Sequence, residues 1–434
     1  MDLMLLFAVL IAILWIVVAS FKRLSVLISA PIATLIVVVV GRLDILTSLF
    51  GEKGSYISYL TGFVFNFFFI FVLGSVMAKY LQKSGAIDAI TRSVVKVIDI
   101  QNPMHGLLAV YLITALLTYG GVSLFVVMFA VVPLAKSLFS HMRIPWKLSP
   151  VPIILGLGTF TASMLPGSPS VINIIPTYSL NTTLMAAPLM GIIASFVTVV
   201  SSIVYMNIIV QRELKRNGHG VYDVLNKDDS VKRPSLLISL LPLIALITFI
   251  ILGSWLKISQ ILVIALVAVI ILEMIIFRNY VNSHVEIINA GTIDALTPLL
   301  STASTIAFGQ VIANIGSIAE FTRKIISQSS SKLLIASLIT IVFSVITGSG
   351  SGAIGIMAPA YGGFLLSTGI SADVIHRVLA ISSTIMPNTP HSGVVIALLS
   401  LSNLSHKEAF KHVFLAPAVT GTLALIAVLI MSAL

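Results

Sequence analysis

Apolar runs divide the 434-residue chain into two kinds of segment. Uninterrupted runs cover residues 3–20, 24–40, 58–78, 184–210, 235–256, 258–277, 292–314 and 411–433. Each is near or above the ~20 apolar residues that cross a hydrocarbon core about 30 Å thick. Four further runs, 104–139, 150–182, 333–368 and 373–402, are broken near the middle by Gly, Pro, Ser, Thr or Asn. Proline removes a backbone donor, and lipid supplies no water to replace the lost bond, so such breaks are costly unless they line a cavity. The pattern predicts an all-α polytopic membrane protein of about eleven crossing helices, two re-entrant hairpins and two broken helices.

The breaks come in matched pairs. "TYGGVS" (118–123) and "TGSGSG" (347–352) read as tips of hairpins that enter the membrane and return to the same side. Glycine permits the tight reversal there, and hydroxyls satisfy stranded backbone groups. "MLPGSPS" (164–170) and "MPNTPHS" (386–392) read as unwound points within a crossing helix. Upstream, "LGSVMAKYLQKSGAIDAITRSVV" (73–95) matches "FGQVIANIGSIAEFTRKII" (308–326), with Gly74 on Gly309, Gly85 on Gly316 and the Thr-Arg pair 91–92 on 322–323. Offsets of 235, 231, 229 and 221 along these four matches keep their order with small deletions. Two repeats are expected. Residues 1–210 form the first, with scaffold helices in 1–100 and a hairpin and broken helix in 104–210. The second, 234–434, has scaffold helices in 234–330 and a hairpin and broken helix in 331–434. The stretch "QRELKRNGHGVYDVLNKDDSVKR" (211–233) is the linker between them.

Charge sets the orientation. Placing Lys22 and Arg23 in the cytoplasm, and alternating from there, puts 18 of the 25 Lys and Arg inside and 7 outside, as the positive-inside rule favours. Residues 3–20 lack a positive leading region and are expected to be a retained helix rather than a signal peptide. Both termini then lie outside a bacterial-type cytoplasmic (inner) membrane. The first Thr-Arg segment is cytoplasmic and its counterpart external, so the repeats are expected to be inverted, an architecture in which discontinuous helices meet at a solute site. The basic segments 84–98 and 316–330 read as amphipathic arms along the membrane.

Composition narrows the chemistry. The chain is 58% hydrophobic and 9% charged, with mean hydropathy +1.11, against roughly 25% charged residues in soluble proteins. It has no cysteine, which excludes disulfides and thiolate sites. The net charge of +10 is spread over short loops with no aromatic-interleaved patch, so no nucleic-acid partner is expected. No His-Glu-x-x-His motif or buried aspartate pair suggests an enzyme, and neither a metal nor a cofactor is expected.

A half-helix N-terminus presents unpaired N–H groups and partial positive charge, which suits an anion without a buried cation. No Lys or Arg lies in the four breaks, so they predict a small organic anion held by dipoles and hydroxyls. The candidate ligands are Ser123, Ser168, Ser170, Asn173, Ser349, Ser351, Asn388, Thr389, His391 and Ser392, with Gly120, Gly121, Gly348 and Gly350 shaping the hairpin tips. Any one hydroxyl can equally cap its own broken helix. His391 is the one ionisable group in the breaks and, with Asp294, a candidate for coupling. Glu273 and Asp294 are expected near cytoplasmic helix ends.

At "LPGSPSVINIIPT" (165–177), "TGSGSGAIGIMAPAYGG" (347–363) and "MPNTPHSGVV" (386–395), the sequence resembles the gluconate permease family of the ion-transporter superfamily. The resemblance implies secondary transport of a small monocarboxylate, usually proton-coupled, by an elevator-type homodimer. Gluconate-type members carry a His-containing proline motif at the first break, where this chain has Gly167-Ser168. The resemblance is therefore closer to the branch assigned to hydroxybutyrate-like short-chain acids. Sodium coupling and cation/proton antiport are the alternatives.

Overall fold

A computed structural model describes the chain except residues 1–2, 23, 88, 91–92, 94–101, 121–123, 219–232, 257, 259, 314, 391 and 434. The first half contains α1 (Leu3–Phe21), α2 (Val26–Val40), a short α3 (Ile45–Phe50) and the long α4 (Tyr56–Lys83). The pair α5 (Pro103–Tyr119) and α6 (Leu124–His141) follows. Next come α7 (Pro150–Gly158), α8 (Phe160–Ser163), α9 (Val171–Leu180) and α10 (Pro188–Asn217). The second half runs α11 (Leu236–Trp255), α12 (Ile261–Ile276), α13 (His284–Ala313), the amphipathic α14 (Gly316–Gln328), and the pair α15 (Lys332–Thr347) and α16 (Gly350–Ser367). It ends with α17 (Ala372–Ser383), α18 (Gly393–Leu401) and α19 (His406–Ala433).

The interrupted runs become paired or broken helices, while several crossing helices outrun their apolar runs. Helix α13 begins at His284 rather than at 292, α4 continues to Lys83, and α10 continues to Asn217, into the expected linker. Among the described residues, four helices are long and apolar enough to cross a membrane by length and composition: α4, α10, α13 and α19. They hold corresponding places in the two halves. Local chemistry sets the ends. Asn102 caps α5 through Met104 N–H at 3.0 Å with Pro103 at the first turn, where its missing N–H costs nothing. Ser55 and Ser58 form a reciprocal capping box at the start of α4. Of the expected arms, 316–330 is helical over Gly316–Gln328 as α14, while much of 84–98 lies outside the described residues.

Small residues set the helix contacts. A Cβ on Gly291 would lie 2.6 Å from the Val76 backbone, so α13 and α4 pack closely along their lengths, as small residues allow in lipid. Gly156 of α7 meets Thr114 and the Tyr111 carbonyl of α5 in the same way, and Gly355 of α16 receives Ile306 of α13. The last long helices of the halves, α10 and α19, pack on each other. Helix α13 packs on both α4 and α16. Glu273 does lie near the end of α12, but it is fully buried. Neither of its carboxylate oxygens has a partner among the described residues.

Candidate functional site

The breaks of the two halves converge. Ser163, the last residue of α8, and Thr384, the residue after α17, bring their hydroxyls to 3.0 Å. The chain of the first half then runs through Met164–Ser170 and re-enters helix at α9; that of the second runs through Thr384–Ser392 and re-enters at α18. Arg377 ties the two together. Fully buried on α17, its guanidinium donates from Nε and Nη2 to the Ala186 carbonyl at 3.1 and 2.6 Å, and from Nη1 to the Ser163 carbonyl at 2.8 Å and Asn173 Oδ1 at 3.2 Å. Ser163 ends α8 and Ala186 lies in the connection between α9 and α10, and the planar fork reaches both carbonyls and Asn173.

That clamp decides the role of Asn173. Its amide nitrogen donates to the Ser168 and Leu184 carbonyls at 2.9 and 3.2 Å. Its oxygen accepts from Arg377 and, at 3.0 Å, from His376 Nε2. His376 Nδ1 then accepts from the Thr182 hydroxyl at 2.7 Å. Asn173 is buried and every group of its amide is committed to the protein. It positions the break and is absent from the cavity wall, contrary to the expectation that it faces a ligand. Ser168 is likewise buried, with its hydroxyl donating to the Thr161 carbonyl. Thr389 is also buried and off the cavity wall. Gly121, Ser123 and His391 lie outside the described residues.

Of the remaining candidates, all but Gly120 line one cavity of about 1120 Å³. Ser170, Ser349, Ser351, Asn388, Ser392, Gly348 and Gly350 all border it. Ser170 caps α9 by accepting from Ile172 N–H at 3.3 Å. Ser349 caps α16 by accepting from Gly352 N–H at 3.1 Å, and its hydroxyl lies 3.0 Å from that of Ser351. Gly348 supplies the left-handed turn, φ +59°, that closes the second tip. The first turn of α18 borders the cavity through Gly393 and Val394. Three helix N-termini therefore open onto the same space, each carrying partial positive charge. Asn388 adds a side-chain donor: it is 5% exposed, and its Nδ2 has no partner among the described residues. A buried amide N–H left unpaired costs ~1–3 kcal/mol, which an acceptor in the cavity would recover.

The tips differ in their packing. Gly120 ends α5 against Leu243 of α11 and does not border the cavity. Gly350 wedges the second tip between the halves, since a Cβ there would lie 2.9 Å from Ile172 Cδ1 and 3.0 Å from the Ser383 carbonyl. Gly350→Ala is expected to cost about 1–3 kcal/mol through overpacking, read as a lower melting temperature of the detergent-solubilised protein. An unchanged melting temperature would show that the tip does not seat against the break.

The opposite wall belongs to α4 and α13. Asp294, Thr297, Ser301 and Thr305 line it from α13, together with Ser75, Lys79 and Gln82 from α4. Lys79 Nζ pairs with Asp294 Oδ2 at 2.6 Å. Asp294 thus reaches the cavity as the partner of a cation rather than as an isolated carboxylate. Apolar side chains, among them Ile70, Phe71, Leu262 and Leu266, complete this wall. Sequence reasoning missed Lys79, whose partner is 215 residues away, and Arg377, which precedes the break. Arg377 and His376 are an ionisable pair inside an apolar run, and that signal was available.

This architecture is that of a polytopic helical membrane protein. It resembles the crystal structure of the Alcanivorax borkumensis YdaH transporter, described as having an unusual topology, with a TM-score of 0.59, 13% identity and 89% of each chain covered. In sequence the chain is similar to the uncharacterized transporter YxjC of Bacillus subtilis (strain 168), 29% identical over 91% of this chain and 92% of that one. No protein-family profile matches the sequence. Both relatives are named as transporters, in keeping with the expectation of a transporter rather than an enzyme.

Proposed function

We propose that this protein is a secondary active transporter that imports a small organic monocarboxylate, a short hydroxy acid, by proton symport. The observation that carries this reading is the buried, unpartnered Asn388 Nδ2 in a cavity onto which three helix N-termini open. Those donors suit one carboxylate, and the hydroxyls of Ser170, Ser349, Ser351 and Ser392 suit a substrate hydroxyl. Asn388 stands in a break that resembles the gluconate permeases, and Gly167-Ser168 at the other break brings the resemblance closer to the hydroxybutyrate-type members. His391 and Ser123 join the site on sequence grounds.

A two-fold relation between the repeats is supported by the Ser163–Thr384 contact. The offset of 221 that aligns the two breaks also relates these two residues. A residue touches its own repeat equivalent only near a two-fold axis, by the logic of isologous contacts. Such repeats, facing a scaffold across the cavity, support an elevator motion of the hairpin body in a homodimer set in the inner membrane with both termini outside. The test is uptake of labelled 3-hydroxybutyrate, lactate, pyruvate and gluconate into proteoliposomes under separate proton and sodium gradients. Concentrative uptake of a short acid driven by protons alone is expected. Accumulation driven only by sodium would replace the coupling ion, and absence of accumulation under both would overturn the reading.

A further inference from the structure

The pair Lys79–Asp294 is not explained by the site just described. Its position is specific. Among the described residues lining the cavity, these two carry the only formal charges. Asp294 begins a polar stripe on α13 that continues through Thr297, Ser301 and Thr305, spacings of three and four residues that keep one helix face. At about 1.5 Å per residue, the stripe from 294 to 305 is about 16 Å long. Its far end meets the second hairpin tip, where a Cβ on Gly352 would lie 3.2 Å from Thr305 Cγ2. The charged pair and the anion-accepting tip are thus opposite ends of one wetted track.

The two partners are unequally held. The Lys79 side chain is 17% exposed and that of Asp294 44%. The ammonium is fixed in the wall while the carboxylate can turn out into water. The pair is also absent from the other half: the offset of 235 that aligns Gly74 with Gly309 puts Asn314 at the place of Lys79 and Tyr59 at that of Asp294. A staple required by the repeated scaffold would be expected in both halves.

We propose that Lys79 is a second anion station on the transport path, with Asp294 as its resident counter-ion. A carboxylate entering the cavity displaces Asp294 from Lys79, pairs with the ammonium, and passes along the α13 hydroxyls to the hairpin tip. When it leaves, Asp294 returns, so Lys79 is never left unpaired within a low-dielectric wall, where an isolated ammonium is costly. Asp294 also weakens the station by competing for it, which keeps the anion from being trapped there. This inference rests on the carboxylate reading above.

The sign of two substitutions tests it. A hydrogen bond to a charged group contributes about 1.5–3 kcal/mol, so Lys79→Met is expected to raise the KM for 3-hydroxybutyrate uptake by about 10- to 100-fold. Asp294→Asn removes the competitor while keeping the side-chain shape, and is expected to lower that KM several-fold. A pair that only braces α4 against α13 would give effects of the same sign for both variants, and that result overturns the proposal. Should Lys79→Met not fold, Asp294→Asn answers alone through its melting temperature. Added 3-hydroxybutyrate is expected to raise it more than in the parent protein, and an equal or smaller rise counts against the station. Wild-type protein that transports none of the acids would instead bring down the carboxylate reading itself.

Discussion

Replacing Arg377 with leucine is expected to destabilise the protein by about 3 kcal/mol and to abolish uptake. The guanidinium supplies two hydrogen bonds to the Ala186 carbonyl and one each to the Ser163 carbonyl and Asn173 Oδ1. Leucine fills much of the volume but supplies no donor. Asn173 Oδ1 keeps its bond from His376, whereas the two backbone carbonyls lose the donors they have here, and each buried unsatisfied acceptor costs ~1–3 kcal/mol. Relief of the cation's own burial offsets part of that loss. Arg377→Lys is expected to recover little, because one ammonium cannot span acceptors contributed by three segments. The check is the melting temperature in detergent of both variants. A lysine variant as stable as the parent would show that charge, not the fork geometry, is what the breaks require.

Asn388→Ala is expected to separate function from stability in the opposite way. Because Nδ2 has no partner among the described residues, its removal deletes no donor bond to the protein from this nitrogen and relieves an unpaired buried group. The melting temperature should hold or rise. Uptake efficiency, kcat/KM, should fall by about 10- to 100-fold, the value of one hydrogen bond to a charged ligand. A variant with full uptake would remove Asn388 from the site. One with lost uptake and a much lower melting temperature would make it a structural residue like Asn173.

The contrast between those two asparagines shows how far the sequence can be read. Apolar run length placed the helices, and Pro, Gly and hydroxyl clusters located the breaks, because both signals are local and lipid enforces them strongly. Which face of a break points inward is not local. Asn173 and Asn388 look alike in sequence, yet Asn173 is consumed by Arg377 and His376 from the other half. The partners are about 200 residues away along the chain. The same holds for Lys79, whose place in the cavity depends on the packing of α4 against α13. The offset of 221 read at the prolines also relates Ser163 to Thr384, whose hydroxyls meet.

The central claim is that the cavity holds a carboxylate at Asn388 and the helix N-termini. It is tested most directly by calorimetric titration of the purified full chain in detergent with 3-hydroxybutyrate and with its neutral amide, each against parent protein and Asn388→Ala. Saturable binding of the acid, lost in the variant and absent for the amide, is the expected result. Equal binding of acid and amide, or undiminished binding of the acid by Asn388→Ala, would contradict it.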